Sequence, residues 1–312
     1  MKYLVMGAGA LGSVFGGMLA TSGFPVTFVG TDDHLRAMQT HGLRITGIWG
    51  EHRIEKVSAF DGTKNLTGTY DVVLLCVKSY LTSRVIRETL PFIRDDSLVF
   101  SIQNGLENWE AIAREVGWNR TVGARIIFGA EIKEPGTVRV TVYADEVLLG
   151  SPRGTIPADT LMKVCDHLNE SGIPARITED IEQYLWGKVL YNCSLNPLGA
   201  ILNQPYGFLN TVPELRAVMH QVIREIFAVA RAKGVTLGYE SPDAYFRTLI
   251  EAQIPPTATH RSSMLQDIEK GRPTEIDALN GAISSYGREL DVPTPANDVL
   301  TAIIKGLQSK IT

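Results

Sequence analysis

The chain has 312 residues, which is enough for two domains that each bury a hydrophobic core. Hydrophobic residues make up 44% of the chain and charged residues 21%, a composition that excludes a disordered protein. The formal net charge of -4 offers no basic surface for phosphate backbones, so we do not expect nucleic acid as a partner.

The first half of the chain alternates short apolar runs with helical stretches. The runs predict strands at residues 2–6, 26–29, 71–76, 97–101 and 121–128, followed by a turn at 134–137 between two strands that end near Gly150. The stretches between the runs predict helices at 10–22, 33–40, 79–90 and 108–116. Continuous apolar runs separated by helices are typical of a mostly parallel, doubly wound sheet buried on both faces.

Residues 3–31 carry no charge, but seven glycines and Pro25 interrupt them. Glycine at this density weakens both a helix and its insertion into lipid, so we expect no membrane segment. The second half has helical periodicity at 181–202, 213–233, 241–251, 263–270, 275–290 and 296–309. We therefore predict an α/β domain over residues 1–178 and an all-α domain over 179–312, which could pair as a homodimer.

A glycine-rich loop follows the first predicted strand. Its six residues, which form a G-x-G-x-x-G motif that opens a helix, are Gly7, Ala8, Gly9, Ala10, Leu11 and Gly12. The first glycine allows a tight turn, the second allows close approach of a pyrophosphate, and the third allows the helix to pack near the strand. The motif predicts a Rossmann-type dinucleotide site; a strand–helix turn without a ligand is the alternative.

The choice of dinucleotide depends on the end of the second predicted strand. A ribose-binding acid is expected ~20 residues after the glycine motif, which leads to Asp32 in the segment Thr31-Asp32-Asp33. An acid there favours NAD(H), although Arg36 could still reach a 2′-phosphate. Asp32 or Asp33 could instead be only a helix N-cap.

A polar stripe lies on a helix that is otherwise apolar. Lys188, Asn192 and Asn196 follow one another at four-residue spacing, so they share one helix face. One ammonium group and two carboxamides in such surroundings need partners or a ligand, which predicts a site for a small carboxylate or carbonyl compound. A solvated helix face is the alternative.

Other polar candidates stand at the ends of elements. Lys78 and the segment Gln103-Asn104-Gly105 follow apolar strands, where ligands of open parallel sheets bind, although either could be an ordinary turn. Thr274 and Asp277 resemble a capping box that places Glu275 in a first helical turn.

The cysteines and histidines predict little chemistry of their own. The three cysteines form no CxxC pair, which favours a reducing, cytoplasmic setting, and Cys193 is interpreted as a small core residue. The histidines show no metal-ligand spacing, so no metal is expected. Five of them are predicted to lie on the surface or in loops, and His260, near Ser263, is the exception.

Together these segments resemble the ketopantoate reductase family over nearly the whole chain. The matching motifs are GAGALGS from Gly7, Val77-Lys78, QNG from Gln103, PGTV from Pro135, WGKVLYNCSLNPL from Trp186, SSMLQD from Ser262, TEID from Thr274 and VPTPAN from Val292. The resemblance implies NADPH-dependent reduction of ketopantoate to pantoate, a step towards pantothenate and coenzyme A. Reduction of another 2-oxo acid, or a dinucleotide sensor without turnover, are the alternatives.

The resemblance also implies roles for single residues. Lys188 would be the general acid, and Glu275 would orient it or bind a substrate hydroxyl. The substrate's carboxylate and hydroxyls would be held by Asn192, Asn196 and Ser263, and the nicotinamide end would be lined by Asn104 and Lys78. Relatives commonly carry an arginine for the 2′-phosphate where this chain has Thr31, and some carry an asparagine where it has His260. NAD(H) therefore stands beside NADP(H) as the expected cofactor.

Overall fold

The computed structural model describes residues 1–310 and divides the chain into two compact units. The first unit comprises residues 1–103 and 108–181, and the second comprises residues 104–107 and the chain from Glu182 onward. The last two residues of the predicted helical domain, 311 and 312, lie outside the described residues. Within residues 1–310, no helix has the length and apolar character that a membrane crossing requires.

A single ten-stranded sheet forms the centre of the first unit. Its strands are β1 (Tyr3–Met6), β2 (Val26–Gly30), β3 (Leu43–Gly47), β4 (His52–Ile54), β5 (Ser58–Asp61), β6 (Tyr70–Leu75), β7 (Ile93–Ser101), β8 (Thr121–Glu134), β9 (Thr137–Gly150) and β10 (Ala175–Ile177). They run in the order β4-β3-β9-β8-β7-β6-β1-β2-β5, with β10 beside β9. Only the β3–β4 and β8–β9 pairs are antiparallel, which confirms the mostly parallel sheet.

Five helices flank this sheet: α1 (Ala10–Thr21), α2 (Asp33–His41), α3 (Thr82–Thr89), α4 (Asn108–Val116) and α5 (Ala158–Glu170). Strand β1 contributes to a core on each face of the sheet, with Tyr3 and Val5 in one cluster and Leu4 and Met6 in the other. Because successive strand residues point to opposite faces, a strand buried on both sides needs an unbroken apolar run, which β1 has. The predicted burial of the sheet on both faces is confirmed.

Several elements of the first unit are absent from the sequence prediction. The missed elements are β3, β4, β5, α5 and β10. Strand β3 pairs with β9, 93 residues further along the chain, and only Leu43 and Ile45 among its five residues are buried. Strands β4 and β5 are three and four residues long, and none of their residues is fully buried. Such strands are specified by remote partners more than by their own sequence.

The second unit is helical. Its helices are α6 (Ile181–Leu202), α7 (Tyr206–Thr211), α8 (Pro213–Lys233), α9 (Pro242–Thr248), α10 (Ser263–Glu269), α11 (Asn280–Glu289) and α12 (Pro295–Gln308). No strand occurs between residues 182 and 310, which confirms the predicted helical character, and the bounds of α6 and α8 are as predicted. Helix α7 was not predicted, and α9 continues into a π-helical turn, Leu249–Gln253.

A buried carboxylate joins two helices of this unit. Glu225 of α8 is only 3% exposed and accepts hydrogen bonds from the backbone N–H groups of Ala296 and Asn297, at 2.9 and 3.0 Å. It also accepts one from Asn297 Nδ2 at 2.7 Å. Backbone N–H groups at a helix start need acceptors, and Glu225 supplies them to α12. The VPTPAN segment therefore has a structural role in the second unit.

Candidate active site

The glycine-rich loop connects β1 to α1 with backbone geometry that only glycine supplies easily. Gly7 has φ of +103°, and a Cβ there would lie 2.8 Å from Val77 Cγ1. A Cβ at Gly12 would overlap the carbonyl oxygen of Gly7 and lie 3.0 Å from Val5 Cγ1. These two glycines are therefore required by the packing of the loop and of α1 against β1.

Gly9 differs from the other two glycines of the motif. A Cβ at this position would meet no atom within 4 Å, so packing does not explain the residue. Gly9 is also the N-cap of α1 and has no side chain to cap the helix. Open space beside a helix start suits a phosphate group, which can approach the first N–H groups of the helix. The loop therefore fits the pyrophosphate of a dinucleotide.

The end of β2 carries exposed acidic side chains. Asp32 is the N-cap of α2, and its Oδ1 accepts a hydrogen bond from Leu35 N at 3.0 Å, so Asp32 does cap the helix, which does not exclude a second role towards a ligand. Arg36 Nη2 lies 2.8 Å from Asp33 Oδ1, and its Nη1 lies 3.5 Å from Asp61 Oδ2. The only arginine of this helix is thus directed at carboxylates of the chain itself.

His34 lies in the interior, so its predicted surface position is wrong. Its side chain is 3% exposed, and Nδ1 accepts a hydrogen bond from Gly136 N at 3.0 Å. Nε2 lies 3.0 Å from Ser13 Oγ, which in turn donates to the carbonyl oxygen of Ala8 at 3.2 Å. Burial lowers the pKa of His34, which keeps the ring neutral. This chain of hydrogen bonds links the β8–β9 turn to the glycine-rich loop.

In the second unit, α6 carries the polar stripe. Asn196 is 4% exposed and Asn192 is 9% exposed, so the stripe is not a solvated face at these two positions. Pro197 lies inside α6 and cannot donate to the carbonyl of Cys193. Asn280 Nδ2 supplies the missing hydrogen bond to that carbonyl at 3.1 Å. The helix can therefore carry proline directly after Asn196 without leaving a buried acceptor unsatisfied.

Lys188 contacts the QNG segment, of which Asn104 and Gly105 belong to the second unit. Lys188 Nζ donates a hydrogen bond to Asn104 Oδ1 at 2.6 Å. The segment is fixed by a hydrogen bond from Leu106 N to the carbonyl of Ala278 at 2.7 Å. Gly105 has φ of +85°, and a Cβ there would overlap the same carbonyl oxygen. Two candidates that lie 84 residues apart in sequence are thus brought into direct contact.

Four of the predicted site residues line one depression in the second unit. The lining residues are Asn104, Asn196, Ser263, Met264, Asp267, Glu275 and Leu279. Glu275 and Asp267 are both buried, and Asp267 lies 3.6 Å from the Arg272 guanidinium. Asp267 is not among the predicted site residues, although its position four residues after Ser263 places both on one face of α10. Asn192 is not among the lining residues.

Tyr206 orients one amide of the depression. Its hydroxyl donates to Asn196 Oδ1 at 2.5 Å, and the ring of His260 packs against the Tyr206 ring with centroids 5.1 Å apart. Burial raises the pKa of Tyr206 and keeps it a hydrogen-bond donor. Because Tyr206 donates to the oxygen of Asn196, the amide is held in one orientation and its Nδ2 hydrogens are the donors that it offers a ligand.

The predicted capping box around Glu275 is wrong. The Thr274 hydroxyl donates to Gln308 Oε1, and Asp277 forms an ion pair with Lys305 at 2.6 Å. Glu275 precedes a short 3-10 helix, Ile276–Ala278, and α11 begins only at Asn280. Interaction with the dipole at the start of an α-helix therefore does not explain why a carboxylate stands at position 275.

The remaining candidates lie in the first unit. Lys78 precedes a 3-10 turn, Ser79–Leu81, and its carbonyl accepts a hydrogen bond from Leu81 N at 2.9 Å. Gln103 Nε2 donates to the carbonyl of Val77 at 2.9 Å and to Thr82 Oγ1 at 2.7 Å. Gln103 thus ties the end of β7 to the segment after β6.

Comparison with known proteins identifies the family of this chain. The family model described as ketopantoate reductase PanE/ApbA matches residues 3–154, and its C-terminal counterpart matches residues 180–308. A 2-dehydropantoate 2-reductase of Aquifex aeolicus is 37% identical over 305 residues, covering 98% of this chain and 96% of the relative. A solved PanE/ApbA family ketopantoate reductase from Ralstonia eutropha JMP134 is 32% identical, with a TM-score of 0.90 and coverage of 100% and 99%. A D-mandelate dehydrogenase solved with NADH and anilino(oxo)acetate is 26% identical, with a TM-score of 0.89 and the same coverage.

Proposed function

The chain belongs to the ketopantoate reductase family and is an oxidoreductase acting on a CH–OH group, and from this premise we propose that it reduces 2-dehydropantoate to pantoate. The observation that carries the proposal is the contact of Lys188 Nζ with Asn104 Oδ1, because Asn104 lines a depression that also presents hydroxyl and carboxylate groups, although Lys188 itself is not among the lining residues. These are the groups that a small hydroxylated keto acid needs for recognition.

The cofactor would be a reduced pyridine nucleotide. The loop from Gly7 to Gly12 would hold its pyrophosphate, because Gly9 leaves open space beside the start of α1. When bound, the nicotinamide supplies a hydride to the keto carbon of the substrate. Lys78 would line the nicotinamide end, and Asp32, which follows β2, would bind a ribose hydroxyl.

Lys188 would act as the general acid. As the carbonyl carbon receives hydride, its oxygen gains negative charge, and an ammonium N–H at hydrogen-bond distance stabilises that charge. Lys188 would transfer this proton to the oxygen, giving the hydroxyl of the product, and would regain a proton from solvent. Asn104 accepts one of its three N–H groups at 2.6 Å and so fixes the direction of the others.

The substrate's own polar groups would be held by the remaining side chains. Asn196 presents Nδ2 hydrogens, which suit the substrate carboxylate, and the exposed Ser263 hydroxyl can also donate to it. Glu275 can accept the hydrogen of a substrate hydroxyl or help to orient Lys188. Asn192, on the same face of α6 as Asn196, would help to hold the polar groups of the substrate.

Steady-state assays test the proposal. The purified chain is mixed with NADH or NADPH and 2-dehydropantoate, and nucleotide oxidation is compared with a panel of 2-oxo acids that lack the hydroxyl. We expect 2-dehydropantoate to give the highest kcat/KM, because only it can bond through both its carboxylate and its hydroxyl. A higher kcat/KM for another 2-oxo acid would contradict the substrate, and nucleotide binding without turnover would favour a sensor.

The likeness to D-mandelate dehydrogenase supports a second candidate function. That protein shares 26% identity with this chain over its full length, and its name indicates a 2-hydroxy acid with an aromatic group. Reduction of another branched or aromatic 2-oxo acid is therefore the alternative within the same chemistry. An aromatic 2-oxo acid belongs in the substrate panel for this reason.

The predicted homodimer remains part of this proposal. Helix α12 exposes Val299 and Ile303, 57% and 41% accessible, at four-residue spacing. An apolar strip of this kind supports pairing of the helical unit with a second copy. Light scattering of the purified chain measures the mass directly, and a monomer would contradict the dimer.

A further inference from the structure

Three carboxylates cluster where β2 ends. Gly30, the last residue of β2, pairs with Asp61 at the end of the neighbouring strand β5, and Gly62 N donates to the Gly30 carbonyl at 3.0 Å. This pairing holds Asp61 beside the turn that contains Asp32 and Asp33. The side chains of Asp33 and Asp61 are 85% and 55% exposed, so both are accessible to solvent.

Arg36 is the cation within this cluster, and its donors are directed at acceptors of the chain. Nε and Nη2 lie 3.3 and 2.8 Å from Asp33 Oδ1. Nη1 lies 3.4 Å from the carbonyl of Thr31 and 3.5 Å from Asp61 Oδ2. Each nitrogen of the guanidinium therefore has an acceptor, and the three carboxylates outnumber this one cation.

We propose that the chain selects NADH over NADPH through Asp32, Asp33 and Asp61, an inference that rests on the dinucleotide-binding function proposed above. The 2′-phosphate of NADPH would bring negative charge to a surface that is already negative. The 2′-hydroxyl of NADH, by contrast, is a donor that suits a carboxylate. Asp32 uses Oδ1 for the Leu35 N–H, and a carboxylate oxygen pair can accept several hydrogen bonds at once.

The excess of negative charge matters more than the ion pairs of Arg36. Exposed ion pairs contribute little free energy, so Asp33 and Asp61 alone would not prevent Arg36 from turning towards a phosphate. If the Arg36 side chain rotated towards a phosphate, the negative charges of Asp32, Asp33 and Asp61 would still be present. These charges are screened by salt, with a Debye length of ~10 Å at 0.1 M and ~3 Å at 1 M ionic strength. The preference for NADH should therefore decrease as salt is added.

Direct binding measurements test the inference without reference to catalysis. The apoprotein is titrated with NADH and with NADPH by calorimetry, at low and high ionic strength. We expect NADH to bind at least about tenfold more tightly at low salt, with a smaller ratio at high salt. The ratio of the two Kd values isolates the 2′-phosphate, because both nucleotides share the pyrophosphate and nicotinamide.

A double variant removes part of the negative charge to which the preference for NADH is attributed. Replacing Asp33→Asn and Asp61→Asn removes two negative charges and releases Arg36, so NADPH should bind about tenfold more tightly than to the wild type, while NADH affinity changes less than about threefold. The double variant Asp95→Asn and Asp96→Asn is the matched control, since it also removes two negative charges but near the start of β7, the opposite end of the parallel strands from the end of β2. It should leave the ratio unchanged.

The possible results separate the inference from the function on which it rests. Equal or tighter binding of NADPH by the wild type, or an unchanged ratio in the double variant, would overturn the selection of NADH. Binding of neither nucleotide would instead overturn the dinucleotide-binding function. If the double variant did not fold, the salt dependence of the wild-type ratio would decide, because a salt-independent ratio contradicts an electrostatic origin.

Discussion

Two single substitutions in the glycine-rich loop separate packing from ligand binding. In Gly12→Ala the added methyl group overlaps a backbone carbonyl that cannot move without disturbing Gly7, so the cost lies at the upper end of overpacking, about 3 kcal/mol. Alanine regains about 1 kcal/mol through its helix propensity. The net loss of stability is therefore about 2 kcal/mol, or a fall of roughly 4–8 °C in the Tm of a unit of this size.

Gly9→Ala should instead weaken nucleotide binding while it leaves the stability nearly unchanged. Its added methyl group meets no atom within 4 Å, and the backbone at Gly9 is extended with φ of -74°, which alanine adopts without strain. We expect a stability change below about 1 kcal/mol, due only to the weaker N-cap. The methyl group would occupy the space proposed for the pyrophosphate, so Kd for NADH should rise at least about tenfold, or ~1.4 kcal/mol.

Thermal unfolding of the ligand-free variants and nucleotide titration provide both readouts. If Gly9→Ala bound NADH as tightly as the wild type, the open space beside Gly9 would not be where the pyrophosphate binds. If Gly12→Ala unfolded at the wild-type temperature, the packing of the loop would not require glycine at position 12.

Three further predictions concern single hydrogen bonds and one buried histidine. Asn104→Ala removes the acceptor of Lys188, and loss of one bond to a charged group should lower kcat about 10-fold or more, measured at saturating substrate. Tyr206→Phe removes the donor to Asn196 Oδ1 and should raise KM for the keto acid about 5-fold with kcat nearly unchanged; an equal fall in kcat would show that Asn196 acts in the chemical step. Burial lowers the pKa of His34 below its usual 6.5, so the folded state resists protonation and the free energy of unfolding should fall as pH drops below about 6.5. Urea unfolding of His34→Gln between pH 5 and 8 should show a weaker pH dependence than the wild type, and an identical slope would exclude His34 as its source.

Local sequence patterns predict the central elements of both units well. Strand β1 is an unbroken apolar run, and α8 is long and amphipathic enough for periodicity to define both of its ends. Strands β3 to β5 could not be predicted in this way, because such short strands gain their stability from partners elsewhere in the chain. His34 was misplaced for a similar reason, since its partner Gly136 lies 102 residues away.

The candidate site was partly predictable for physical reasons that differ between residues. Lys188 and Asn196 are unusual residues for a buried helix face, so composition alone singles them out. The contact of Lys188 with Asn104, in contrast, depends on a glycine at 105 that lets the QNG segment approach the Ala278 carbonyl. Asp267 and the role of Tyr206 become visible only once α7 and α10 are placed around Asn196. Local spacing identifies such residues but does not specify their partners.

The most direct test of the account is the kcat of Lys188→Ala and Lys188→Met with 2-dehydropantoate and saturating reduced nucleotide. Loss of a group that stabilises charge in the transition state should lower kcat at least ~100-fold in both variants, since methionine keeps the length of the side chain without its charge. The Kd for the nucleotide should stay within about twofold of the wild type, because the glycine-rich loop is unchanged. A near-normal kcat in either variant would remove Lys188 from the mechanism and contradict the account.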